Sequence, residues 1–167
     1  MTVLNLPTSR LVACGWLIAA VPGFTAAMVG TTRPQDFTKW WDTGFVEVGP
    51  VVGGTPDSYV PLNNPVLSIH CWGVNLTQPN PVGGAPNVSN KPPWGRTAQL
   101  GERIKAAARS VQYTGAARQV QMPASGYAAA SVQVAVLLTE PREILGEADG
   151  SAHFQFDMQF SWIPEAV

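Results

Sequence analysis

Two histidines, His70 and His153, and two cysteines, Cys14 and Cys71, have the widest chemical reach in this chain. Both histidines fall on stretches that read as strands. His70 and Cys71 are adjacent, so on a strand their side chains point to opposite faces and do not readily share a metal. A zinc site therefore rests on nothing beyond the bare count. A Ser–His–acid site needs an exposed nucleophile, and no Gly-x-Ser-x-Gly elbow is present. The acids form no pair at helical spacing for general acid–base work. No glycine motif both follows a strand and opens a helix, so Gly53-Gly54 and Gly83-Gly84 read as turns rather than phosphate cradles. The expectation is a chain with no enzymatic activity and no cofactor.

The six tryptophans say more. Trp40, Trp41, Trp72 and Trp94 lie in or beside loops. They either cap the core or supply a protein interface, where aromatics are enriched. Charge is sparse, at 13% of residues and a net −1, which gives no global case for nucleic acid or an anionic membrane. It is also uneven. Trp94 to Arg118 balances to +4 (Arg96, Arg103, Lys105, Arg109 and Arg118 against Glu102), and Glu140 to Glu165 balances to −5. These are two solvated faces of a monomer, or a complementary pair of surfaces of the kind head-to-tail rings use. The basic segment lacks the interleaved aromatics of a single-strand binder. Trp40, Trp41, Trp72, Trp94, Arg96, Arg103, Arg109 and Asp157 are the candidate subunit interface.

The elements that must position these residues follow from pattern. At 167 residues the chain suits one domain, 1–167, and its 16 glycines and 15 prolines demand much loop and turn. Thr8 to Val21 reads as a helix, started by Pro7-Thr8-Ser9 and stopped by Pro22-Gly23. The competing reading is a signal peptide with small residues at Thr25-Ala26-Ala27, which an intact Met1 would refute. On that reading alone the sequons Asn75-Leu76-Thr77 and Asn87-Val88-Ser89 gain meaning. The apolar run is too short to span a bilayer, which takes about 20 residues.

Thr25 to Val29 reads as a short strand and Thr31 to Thr43 as a loop. Gly44 to Val52 is a strand with Phe45 facing away from Val46 and Val48, and its Pro50 marks an edge or an end. Gly53 to Asp57 turns the chain. In Pro65 to Gly73, Leu67, Ile69 and Cys71 share one face, and Val66, Ser68, His70 and Trp72 share the other. Residues 74–93 form a long Pro/Gly loop, expected to order on assembly. Trp94 to Arg109 is a helix with an apolar stripe of Leu100, Ile104, Ala107 and Ala108. Ser131 to Thr139 is a strand with Val132, Val134, Val136 and Leu138 on one face, and Pro141 to Gly150 turns back. From His153 to Ile163 apolar and polar residues alternate. Phe154, Phe156, Met158, Phe160 and Trp162 take one face and His153, Gln155, Asp157, Gln159 and Ser161 the other. The expected class is α+β: an antiparallel or mixed β-sheet with two helices packed on one face and a C-terminal β-hairpin.

The arrangement resembles the tail terminator (tail completion) proteins of long-tailed bacteriophages. The resemblance rests on an opening helix ending Ala20-Val21-Pro22-Gly23 and a strand Phe45-Val46-Glu47-Val48-Gly49 that runs into a Gly-Gly turn. It continues in a strand ending His70-Cys71-Trp72-Gly73, a helix beginning Trp94-Gly95-Arg96-Thr97-Ala98, and the terminal hairpin. It implies a homo-oligomeric ring, commonly six-fold, at the neck of the virion tail. Such a ring sits between the tail tube protein and the head-completion proteins and is assembled in the host cytoplasm. It also implies no enzymatic activity and no membrane, with double-stranded DNA passing through the lumen unread. Another head–tail joining or tube subunit, or a secreted ligand-binding domain, is the alternative.

Overall fold

The computed structural model describes residues 4–54, 61–77, 87–114 and 117–165. The expected features at Met1, at 55–57 and at the middle of the 74–93 loop lie outside these residues.

Helix α1 spans Ser9–Ala20. Thr8 caps it in an extended conformation, its hydroxyl accepting from the Leu11 N–H, and the Val21 N–H closes the last turn on Leu17 O. The apolar run Val12 to Leu17 is fully buried because this helix is a wall of the core. Strand β1 is only Val29–Gly30. The expected strand at 25–29 is instead a turn closed by Met28 N–H on Thr25 O, followed by β1.

Strand β2 (Phe45–Gly54) runs parallel to β1 and antiparallel to β3 (Pro65–Gly73). Its register breaks between Val48 and Val51, around Pro50, which has no N–H to give to a ladder. Helix α2 (Trp94–Thr114) runs past the expected end at Arg109. After it come β4 (Arg118–Val120), β5 (Ala130–Leu137), β6 (Arg142–Ile144) and β7 (Ala152–Pro164). The sheet order is β1-β2-β3-β7-β5-β4, with β6 also on β7. The fold is α+β with two helices and a mixed sheet; among the named strands of the described residues, β1 with β2 is the parallel pair.

The final strand is the middle of this sheet. It pairs with β3 from Ala152 to Gln159 and, on its other edge, with β6 and then β5. All five apolar residues of its alternation enter the main core, where they meet Leu67, Ile69 and Cys71 of β3, Val46 and Val48 of β2, and both helices. Each such burial contributes about 1.5–3 kcal/mol, so a one-residue slip of β7 would reverse the whole set. Both cysteines are free and buried in this core. Burial pushes the Cys14 thiol up to about 12 and raises that of Cys71 as well.

A second, smaller cluster sits on the other face of the sheet: Trp40, Phe45, Trp72 and Val74, with Phe37, Leu76 and Val88 against it. Phe45 thus faces away from Val46 and Val48, as its position in the strand requires. The described ends of the segment 74–93 lie against this cluster and form a ribbon rather than a plain loop. Leu76 bridges Val88, Thr77 N–H donates to Asn87 O, and Ser89 N–H donates to Asn75 O.

Candidate functional site

The sequence-predicted interface residues do not form one surface. Trp40, Trp41, Trp72 and Arg96 come together around the second cluster. Trp40 is 0% exposed; its indole N–H donates to Pro34 O at 3.0 Å, and its ring meets Phe37 edge-on. It therefore acts inside the subunit. Trp41, next to it, is 43% exposed. Arg96, in the first turn of α2, fastens this region. Its guanidinium donates to Trp41 O and Val74 O, each at 2.7 Å, and to Asn75 Oδ1 at 3.3 Å. One side chain thus ties the helix to the 40s loop and to the foot of the ribbon.

The others lie apart. Trp94 packs edge-on against Phe154 within the main core region. Arg103 donates to Pro22 O and lies over the Phe24 ring at 4.8 Å. Arg109 is exposed at a cavity of about 340 Å³ that Lys105, Val136, Leu137 and Glu140 also line. Asp157 is half-buried opposite Ser68, on the face of the sheet away from the main core.

Part of the uneven charge is paired within the subunit. Lys105 pairs with Glu140, joining the basic and acidic segments directly. Asp149 pairs with Arg33, Glu147 with His153, and Arg118 donates to Ala19 O.

The most organised polar group is one the sequence did not assemble. Trp72 and His153 are register partners across β3 and β7, and their rings stack at 3.8 Å between centroids. On the far side of Trp72 lies the Arg33 guanidinium, 4.0 Å from the ring. Arg33 also bonds Asp149 Oδ2 at 2.8 Å and Ser151 Oγ at 3.2 Å. His153 Nε2 is 2.8 Å from His70 Nδ1, and His153 Nδ1 is 2.7 Å from Glu147 Oε1. Glu47 Oε2 accepts from the Trp72 indole N–H at 3.2 Å.

Donor chemistry fixes the direction of this chain. A carboxylate only accepts, so the neutral His153 carries its proton on Nδ1 and its Nε2 accepts. His70 must then donate from Nδ1, and the lone pair is left on its Nε2. That nitrogen faces Gly49, where a Cβ would stand 3.0 Å from it. Both imidazoles are harder to protonate than an ordinary histidine. For His70, burial and then His153 outweigh Glu47, Asp157 and Glu147. For His153, burial, helped by Arg33, outweighs its contact with Glu147. Burial also raises the Asp149 carboxyl, but the Ser151 and Arg33 contacts more than reverse this and hold it below its usual value.

This chain can store and pass a proton. Among the described residues no hydroxyl or thiol nucleophile is bonded to His70, and no group of three or more His, Cys, Asp or Glu is placed to hold a metal ion. The signal that could have found the cluster was half visible. His70 and Trp72 share one face of their strand, and His153 heads the polar face of the last one. What was missing was that the two strands are neighbours. No protein-family model matches the chain, and no curated protein matches it. Among the described residues no helix is long and apolar enough to cross a membrane.

Proposed function

We propose that this chain is a structural subunit that forms a ring at the end of a phage tail tube and joins it to the head-completion proteins. In this reading the two helices cover one face of the sheet, and the C-terminal hairpin builds its middle. Neighbouring subunits meet at what the fold leaves uncovered. The ring works by shape and timing: it stops tube growth and offers the head a new surface, with DNA passing through unread.

The observation that carries the reading is the outer half of β2. Beyond β1, which pairs only with Val46 and Glu47, no other strand flanks this edge among the described residues. Val51 and Val52 there are 53% and 55% exposed, in a stretch from Val48 to Gly54 that carries no charge. Soluble proteins usually blunt such edges with charge or cover. Here Arg10, bonded to Val48 O, and Pro50 do so only at the inner end. Adjacent exposed valines on an uncharged edge suit a contact with another subunit.

Mixing the purified chain with tail tubes and viewing the product by electron microscopy tests this. A ring capping one tube end is expected. A chain that leaves tube ends bare would contradict it, and open-ended stacking by the chain alone would assign it to tube subunits instead.

A further inference from the structure

Glu147, His153 and His70 are joined in sequence by two hydrogen bonds that link the 145–151 loop, β7 and β3. Consider protons arriving from solvent. The first has one open lone pair to take, His70 Nε2. It leaves both hydrogen bonds intact, and the bond from His70 Nδ1 becomes charge-assisted. Within the imidazole pair, a second proton has only His153 Nε2 to take. That nitrogen is the acceptor for His70, so its protonation sets two N–H donors facing each other across 2.8 Å. The pair must then part.

The surroundings decide which ring moves. His153 is held by Glu147 at one nitrogen and by the Trp72 stack on its face, and it is 6% exposed. His70 is more exposed, and among the described residues its ring nitrogens have one hydrogen-bond partner, His153. The charged groups around the pair come from every neighbouring element. Glu47 on β2, Asp157 on β7 and Glu147 on the loop favour a proton on it. Arg33, across the Trp72 ring, opposes one on His153. Asp149 of the loop is neutralised by Arg33, and Arg142 on β6 stands opposite Gln155.

We propose that His70 and His153 form a two-step proton switch, in which one proton is held with the pair closed and a second expels His70 from it. The switch sets the charge on the face of the sheet away from the helices. The first step places a cation between Glu47 and Asp157, and the second sends that cation into solvent. It does not depend on the assembly reading above.

The test is an NMR titration of the full chain on its imidazole nitrogens and ring protons. The switch predicts two steps whose proton affinities differ by more than ten-fold. The first belongs to His70, and the hydrogen-bonded His70 Nδ1 proton signal survives it. That signal is lost in the second. His153→Phe keeps an aromatic ring on Trp72 but removes the acceptor of the charge-assisted bond, so His70 should then titrate alone and at lower pH than its first step in the wild type. Two coincident steps in the wild-type chain would overturn the proposal, whether or not the variant folds. So would an unchanged His70 titration in a folded His153→Phe protein.

Discussion

Trp72 and His153 stand directly opposite each other on β3 and β7 and stack with their planes within 12°. Their contact joins two kinds of structure. Trp72 belongs to the small aromatic cluster under the ribbon, and His153 opens the hydrogen-bonded chain to His70 and Glu147. Removing the ring at 153 therefore loses a stack worth about 0.5–1.5 kcal/mol and two hydrogen bonds worth a similar amount each. His153→Ala is expected to lower stability by about 2–4 kcal/mol in urea unfolding. His153→Phe, which keeps the stack, should cost less. Equal losses for the two would show that the ring face contributes nothing.

Acid should weaken the fold earlier than its carboxylates alone require. The folded pKa of both histidines lies below the unfolded value of about 6.5. Between those values the unfolded chain binds protons that the folded chain does not, so stability falls as pH falls. Above about pH 7 the histidine contribution is fully present and flat. Asp149, also depressed, adds a further loss at lower pH, beginning in the usual carboxylate range and continuing below it. Urea midpoints measured across this range should drop on the acid side of 6.5 in the wild type and drop less in a folded variant lacking both imidazoles.

Arg96 is expected to be the most sensitive of the basic residues on α2. Its three acceptors belong to the 40s loop and the ribbon foot, and one is the carbonyl of the buried Val74. Hydrogen bonds to a charged group contribute about 1.5–3 kcal/mol each, so Arg96→Ala should destabilise by at least about 2 kcal/mol. Arg109→Ala, at an exposed site, should stay within about 0.5 kcal/mol. Chemical denaturation of the two variants side by side checks the order.

The proposed junction makes a different demand. Val51→Lys and Val52→Lys put charges on an exposed edge and should leave monomer stability within about 0.5 kcal/mol, yet prevent ring formation. Sedimentation of the double variant against the wild type reads this. A variant that assembles normally would move the junction elsewhere.

Facing was legible in the sequence except on β5, and neighbourhood was not. A register break between Val132 and Val134 puts Ala135 in the core and leaves Val134 and Leu138 exposed, so the expected shared face of Val132, Val134, Val136 and Leu138 does not form. Phe154 to Trp162, Leu67 to Cys71, and Phe45 against Val46 all point as their alternation dictates, because period two records burial directly. Alternation does not say which strand lies beside which. Hence β7 at the sheet's centre, β1 parallel to β2, and the meeting of His70 with His153 were out of reach. Trp40 misled for a related reason. Its segment has no period, and its burial depends on a ribbon whose partners, Leu76 and Val88, stand far apart in sequence. The basic and acidic segments looked separable until Lys105 met Glu140.

The most direct measurement is the native mass of the intact chain over a range of concentrations. A structural ring subunit should give one closed multiple of the monomer, unchanged on further concentration and carried onto tail tubes when these are added. A mass that stays monomeric at every concentration, with no association with tubes, would contradict the account.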